Sequence, residues 1–395
     1  MLAGGLGGSR CVHALSLAAG PEHVTAIGNV GDDLEMWDLH VSPDLDTIMY
    51  TLAGLLDEER GWGIRGDTYE AMAVAEQAGR ETWFTLGDQD AGVHILRTRL
   101  LKNGQPLSTV TGKLAEGLGL GVRLLPATDD RLRTKIQTPD GELDFQEWFV
   151  RRRHADRVDG VRFEGAEDAR PAPGVLDAIK EADVVLIAPS NPFVSIQPIL
   201  AVPGIEEALR TKHVAAVSPL VGGKALRGPL AEMMASLGHE PGAVGVRALY
   251  GDLVSTFVLD REDEALADAI PGAAEAIAEA EVVVIAPSNP FVSIRPILAV
   301  PGIEEALRER RVAAISPLVG GKALRGPLAE MMASLGHEPS AAGVRALYGD
   351  LSVFVLDRED AALADAIPGA VVCDTVMVLP ERRAEVGRGL LEAIG

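Results

Sequence analysis

Four carboxylates, Asp32, Asp33, Asp44 and Asp46, fall between positions 32 and 46, in Asn29-Val-Gly-Asp-Asp-Leu-Glu35 and the following Ser42-Pro-Asp-Leu-Asp-Thr47. Acidic residues gathered where an apolar strand gives way to a helix can hold a divalent cation, and through it a phosphate. One of them can also hold or deprotonate a hydroxyl. A second group, Gly4-Gly-Leu-Gly-Gly8, offers backbone N–H groups of the kind that suit phosphate oxygens at a helix start. It is not the dinucleotide fingerprint, because position 10 is Arg, and no Gly-Lys-Ser/Thr phosphate loop occurs in the chain. The plainer readings are dipole compensation for Asp44 and Asp46 in a first helical turn, and capping for the Asp and Gly residues that precede later helices.

The elements that must carry these residues follow from periodicity. Val24 to Val30 reads as a strand. Ser42 can cap the next helix, Pro43 suits its first position, and Leu45, Ile48, Met49, Leu52 and Leu56 form its buried stripe. Only Leu2 and Ala3 precede the glycine loop, so the first strand is expected to be short, with a helix from Val12 to Ala19. Further helices are expected over 69–78, 91–103 and 106–118, and strands over 121–125, 135–138 and 144–150. Residues 166–173, rich in Pro and Ala, read as a linker.

Residues 175–272 then recur as 273–369 with about fifteen substitutions and one deletion, and Ser218 to Pro241 returns unchanged as Ser316 to Pro339. Each copy reads as β-α-β-α-β. Its strands lie over 184–188, 214–217 and 256–260, and its helices over 203–212 and 229–237, in first-copy numbers. Such alternation predicts an α/β fold with a mainly parallel sheet covered on both faces. Ligands then bind beyond the carboxyl ends of the strands, where Asn29-Val-Gly-Asp, Pro189-Ser-Asn-Pro and Leu220-Val-Gly-Gly-Lys all lie. The expected divisions are an amino-terminal half (1–173), two near-identical copies (174–271 and 272–369) and a final strand and helix (370–395). The repeat is expected to reflect a tandem duplication, with the first copy docked on the amino-terminal half.

The chain has 395 residues and a formal net charge of -22, with no basic stripe. That argues against nucleic acid and anionic membranes as partners. Two cysteines imply no disulfide framework, and no secretory leader or spanning apolar run is seen, so a cytoplasmic protein is expected.

Taken jointly, Gly-Gly-Leu-Gly-Gly at 4–8, Asn-Val-Gly-Asp-Asp at 29–33, Ser-Pro-Asp-Leu-Asp-Thr at 42–47, Gly-Trp-Gly at 61–63, Leu-Gly-Asp-Gln-Asp at 86–90, Leu-Pro-Ala-Thr-Asp-Asp at 125–130, Phe-Gln-Glu-Trp at 145–148 and Ala-Pro-Ser-Asn-Pro at 188–192 resemble the 2-phospho-L-lactate transferase family. The resemblance covers the chain once one repeat copy is set aside. It implies a Rossmann-like doubly wound fold with a small α+β insertion, and a homodimer. The implied activity is the step of coenzyme F-420 biosynthesis that joins the deazaflavin FO to a phospholactyl group, or its enolpyruvyl analogue, carried on guanosine diphosphate. GMP leaves and Mg2+ is required.

The resemblance also implies FO contacts at Asp46 and at Thr85, where several relatives carry Lys, with Asp88 beside them. Mg2+ would go to Asp46, with Asp32, Asp33 or Asp67 as further or water-bridged ligands; Asp46 could instead hold the attacking hydroxyl. The nucleotide and its diphosphate would meet Gly4, Gly5, Gly7, Gly8, Asn29, Ser190, Asn191, Gly222 and Gly223. Ser288, Asn289, Gly320 and Gly321 are their second-copy equivalents. A duplication-inactivated protein that binds FO or nucleotide, and an NAD-linked Rossmann oxidoreductase, are the competing readings.

Overall fold

The computed structural model describes residues 1–225, 228–260, 263, 266 and 282–376, apart from 286, 288, 296–302, 309, 324–327 and 350. Strand β1 (Leu2–Ala3), helix α1 (Gly5–Ala19) and strand β2 (Thr25–Gly28) open the chain. A hairpin of β3 (Leu34–Met36) and β4 (Leu39–Val41) leads into α2 (Pro43–Leu52), followed by α3 (Glu70–Gln77), α4 (Asp88–Lys102), α5 (Leu107–Gly117) and β5 (Arg123–Pro126). An antiparallel insertion of β6 (Arg133–Thr138), β7 (Gly141–Asp144) and β8 (Gly160–Glu164) comes next. The first repeat supplies β9 (Val185–Ile187), β10 (Val214–Val217), the short pair β11 (Leu220–Val221) and β12 (Lys224–Ala225), and β13 (Thr256–Val258).

Six of these strands form one sheet in the order β13-β10-β9-β1-β2-β5, with every pair parallel. This is the Rossmann-like α/β architecture. The strands are apolar on both faces, as a sheet surrounded by helices requires: Ala26, Ile27, Leu124, Leu125, Val185, Ile187 and Phe257 are all buried. Helices α1, α2 and α5 pack on it through Val12, Leu45, Ile48, Met49, Val110 and Leu114. Two residues suffice for β1 because it lies between two neighbours. Ile27 N donates to Met1 O (2.8 Å), Asn29 N to Ala3 O (3.1 Å) and Ala188 N to Leu2 O (3.0 Å).

Several local expectations are corrected. Helix α1 begins at Gly5 rather than Val12, so the glycine run forms its first turns. Residues 144–150 do not continue as a strand: β7 ends at Asp144 and a π-helical turn covers Glu147–Arg151. The cause is spacing, since Phe145, Trp148 and Phe149 recur at helical intervals and cluster on one another, with Trp148 buried. The 166–173 segment is a packed crossover rather than a loose linker, with Ala166, Ala169 and Ala172 buried and Pro171 bridged to Thr128.

The chain divides into two compact units, Met1–Pro271 and Gly272–Gly395. Described by itself, the second contains β14 (Val282–Ile285), β15 (Arg311–Ile315), the pair β16 (Leu318–Val319) and β17 (Lys322–Ala323), β18 (Val353–Asp357) and β19 (Ala370–Cys373). Its parallel sheet runs β14-β15-β18-β19. No helix among the described residues is long and apolar enough to cross a membrane.

The two repeats thus share a sequence but differ in neighbours. Strand β9 pairs with β1, whereas β18 pairs with β19 on the side where β13 is the last strand of its sheet. Ala313, Ile315 and Val355 are buried with Val371 and Cys373 packed against them. Their first-repeat counterparts Ala215 and Val217 are half-buried, and Val258 is 45% exposed. The same substitution should therefore act differently in the two copies. Val355→Ala should cost about 2 kcal/mol, and Val258→Ala no more than about 0.5 kcal/mol, in urea unfolding of the full chain. Equal losses would contradict the asymmetry.

Candidate active site

The glycines of α1 are fixed by contact. A Cβ on Gly7 would stand 2.3 Å from Pro189 O, and one on Gly8 2.6 Å from Ser190 Oγ. One on Gly4 would lie 2.2 Å from Asp44 Oδ2. The turn of the first repeat is thereby seated on the helix start: Ser190 Oγ donates to Gly4 O (2.8 Å) and accepts from Gly4 N (3.2 Å). Gly5 N donates to Asp44 Oδ1 at 2.6 Å, so a carboxylate of this chain occupies the helix N-terminus.

Asn29, fully buried, joins the pieces. Its Nδ2 donates to Asp44 Oδ2 (2.9 Å) and Val194 O (3.1 Å) and lies 3.4 Å from Asp32 Oδ1, while its Oδ1 accepts from Gly31 N (2.8 Å). Asp33 Oδ2 is 2.8 Å from His40 Nε2, and its Oδ1 is buried with no hydrogen-bond partner. Asp32 accepts long contacts from Gln146 Nε2 (3.3 Å) and Asn29 Nδ2 (3.4 Å). Burial, and then the neighbouring charges of Asp44 and Asp33, hold the Asp32 carboxyl well above its ordinary range. Burial raises Asp44 to about 6, against the opposing hydrogen bonds from Asn29 and Gly5.

Asp46 points elsewhere. The buried Arg97 of α4 grips both its oxygens, Nη1 to Oδ2 at 3.0 Å and Nη2 to Oδ1. Its Oδ2 also accepts from Ser42 N (3.3 Å). The Ser42 hydroxyl, expected to cap α2, makes no capping bond; the return of the Asp46 carboxylate to the Ser42 amide serves that end instead. Arg97 and its neighbour His94 carry no sequence motif. The signal that could have found them is polar residues at positions 90, 94 and 97, at helical spacing on one face of α4, the face that is buried.

Asp67 is not brought into the cluster. Its oxygens accept from Thr68 N (2.8 Å), Gln89 N (2.8 Å) and Asp90 N (3.0 Å), capping α4. Asp88 caps α3 in return, accepting from Glu70 N and Ala71 N (both 3.0 Å) and Thr68 Oγ1 (2.6 Å). Thr85 is exposed nearby. Asn191 caps the turn that follows it through Phe193 N (2.9 Å). Gly222 and Gly223 form the β11–β12 turn at φ of 56° and 72°, conformations that demand glycine, and Gly222 N is bound by Asp263 Oδ2 (3.1 Å). In the second repeat, Asn289 binds Phe291 N (3.0 Å), and Gly320 and Gly321 form the same turn with Asp360. Ser288 lies outside the described residues.

Beside Asp32 and Asp33 opens a cleft of about 420 Å³, walled by Trp83, Phe145, Gln146 and Arg133. Among the described residues, no three His, Cys, Asp or Glu side chains converge as a complete metal cage. Asp32 and the orphaned Asp33 oxygen nevertheless suit Mg2+, which takes one or two carboxylates and completes its shell with water and substrate phosphate.

A family model described as 2-phospho-L-lactate transferase CofD matches residues 1–268 and again 254–368. The chain belongs to that family. Phosphoenolpyruvate transferases are among its relatives. The one from Kitasatospora aureofaciens is 44% identical over 281 residues, 69% of this chain and 88% of that protein. The one from Streptomyces coelicolor is 47% identical over 279 residues, covering 68% and 86%. The one from Nocardia farcinica is 46% identical over 270 residues, covering 66% and 81%. A crystal structure of a UPF0052 family member from Bacillus halodurans shares 20% identity at a TM-score of 0.42, over 68% of this chain and 89% of that one. The protein is accordingly a transferase of the CofD family.

The raised carboxyls give a pH signature for this candidate site. Asp32 and Asp44 bind protons more tightly folded than unfolded. Their contribution to stability is therefore present at acid pH, and that of Asp44 is lost as pH rises from about 4 through about 6. Asp32→Asn should raise Tm at pH 7 and raise it less at pH 4. A Tm gain independent of pH, or a loss at pH 7, would show that Asp32 is not a strained buried acid.

Proposed function

We propose that this transferase moves a phospholactyl or phosphoenolpyruvyl group from a guanosine diphosphate-linked donor to the terminal ribityl hydroxyl of FO, releasing GMP. The observation that carries the reading is the meeting of Asn29, Asp32, Asp33 and Asp44 with the α1 N-terminus and the Ser190 turn, at the carboxyl ends of β1, β2 and β9. That is where ligands of parallel α/β sheets bind. The adjoining cleft supplies Trp83 and Phe145 as apolar surfaces for a flat ring, and Arg133 for an anionic group.

In this reading the FO hydroxyl oxygen bonds to the phosphorus that carries the lactyl or enolpyruvyl group. The bond from that phosphorus to the bridging oxygen breaks in line, and its electron pair leaves with GMP. The hydroxyl proton passes to a carboxylate at the cleft, Asp32 or Asp33, or to solvent. Mg2+ at Asp32 and Asp33 would neutralise phosphate charge when bound. The remaining work is orientation, which is the main lever in phosphoryl transfer. Asn29, Ser190 and the α1 amides hold the walls of the phosphate region. A homodimer is part of the same proposal.

The test is GMP release by the full chain with FO, Mg2+ and each of the two guanylated donors in turn. Release that needs both FO and a donor is expected. FO binding without release in a folded sample would favour a duplication-inactivated binding protein. Absence of both would overturn the transferase reading.

A further inference from the structure

We propose that Arg133 reads the carboxylate of the group being transferred, so that the cleft selects a donor whose phosphate is esterified to a small hydroxy or enol acid; this rests on the transferase reading above. Both groups named there, phospholactyl and phosphoenolpyruvyl, carry a carboxylate beside the ester oxygen. A guanidinium meets a carboxylate at two points and so sets its plane as well as its place, which the point charge of Lys does not.

The placement follows from how the antiparallel insertion is joined to the site. Thr134 N donates to Gly31 O (2.7 Å), and Gln146 Nε2 lies 3.4 Å from Asp32 O and 3.3 Å from Asp32 Oδ2. The joint is close: a Cβ on Gly31 would stand 2.6 Å from Thr134 Oγ1. The start of β6 and the turn after β7 are thus tied to the Gly31–Asp32 segment. Arg133, next to Thr134 and half-buried, lines the same cleft as Asp32 and Asp33.

Charge then singles this residue out. Six carboxylates and three arginines line the cleft. Arg131 is bound to Glu164 (2.9 Å), and Arg151 meets Glu81 (3.3 Å) and Glu147 (3.7 Å). The Arg133 guanidinium donates to Leu132 O (2.8 Å) and forms no ion pair among the described residues. Glu164 stands opposite Arg133 in the β6–β8 register, yet its carboxylate goes to Arg131 and, at 3.7 Å, to Lys135. Asp144 is likewise held by Lys135 (2.6 Å). An arginine without an anion of its own, among carboxylates already engaged, keeps N–H donors for an anion from outside. Mg2+ at Asp32 and Asp33 would serve the phosphates, which leaves the carboxylate for Arg133.

The experiment measures binding by the full chain and by Arg133→Gln, with Mg2+ and without FO, so that no transfer occurs. The probes are enolpyruvyl-diphosphoguanosine and GDP methylated on its outer phosphate, which has the same diphosphate diester and no carboxylate. Arg133→Gln should weaken the enolpyruvyl donor about tenfold or more, and the methyl ester less than about twofold. Equal weakening of both would show that Arg133 holds phosphate and would overturn the proposal. So would no weakening of either, or a full chain that binds the donor no more tightly than the methyl ester. Should Arg133→Gln not fold, as judged by Tm, Arg133→Lys keeps the charge and loses the fork; it should disturb the donor more than the methyl ester, and equal effects would again sink the idea. GMP release is read separately once FO is added. A chain that binds the donor through Arg133 and releases no GMP would refute the transfer and leave the carboxylate site standing.

Discussion

The site depends on keeping four carboxylates out of water within a short segment. A buried carboxylate needs a partner or a proton, and each of the four answers differently. Asp46 takes an arginine, Asp44 takes a helix N-terminus and an asparagine amide, and Asp33 takes a histidine on one oxygen. Asp32 has long contacts from Gln146 and Asn29, and burial beside Asp44 and Asp33 raises its affinity for a proton. The gradient from satisfied to unsatisfied runs toward the cleft, where an external cation and its phosphate ligands would complete what the protein leaves undone. Stability is spent where function needs an unfilled valence.

Burial on that scale demands close backbone approach, which is the work of the glycines. Gly4, Gly7 and Gly8 do not form a free phosphate loop; they let the Pro189–Ser195 segment come down onto α1 until Ser190 closes over Gly4. The contact also explains how a two-residue β1 can lie at the middle of a six-stranded sheet. Its neighbours β2 and β9 satisfy its backbone on both sides, and the turn beyond β9 covers its end.

Much of this was legible in the sequence, and the rest was hidden for physical reasons. The strand before Asn29, the helix after Ser42 and the parallel alternation of the repeat follow from local periodicity and turn chemistry, which need only neighbouring residues. Capping was the plainer reading for the Asp residues before α3 and α4, and Asp67 and Asp88 do cap each other's helices. Arg97 was invisible because its meaning comes from a partner on another helix. The π-helical turn at 147–151 was read as a strand because a short run of large apolar residues suits either state, and only the mutual packing of Phe145, Trp148 and Phe149 decides it.

The repeat supplies an internal control on which residues belong to the site and which belong to the fold. Asn191 and Asn289 cap identical turns, and each lies 3.6 Å from a methionine sulfur. Gly222 and Gly320 are held by Asp263 and Asp360 in the same way. These features arise in both copies although the copies have different strand neighbours, so the sequence of one repeat is enough to make them. The Ser190 link to Gly4 needs the amino-terminal strand as well. A residue whose contacts are rebuilt wherever its sequence occurs is accounted for by folding. One whose contacts require a particular partner, as those of Ser190 do, is where selection for a reaction can act.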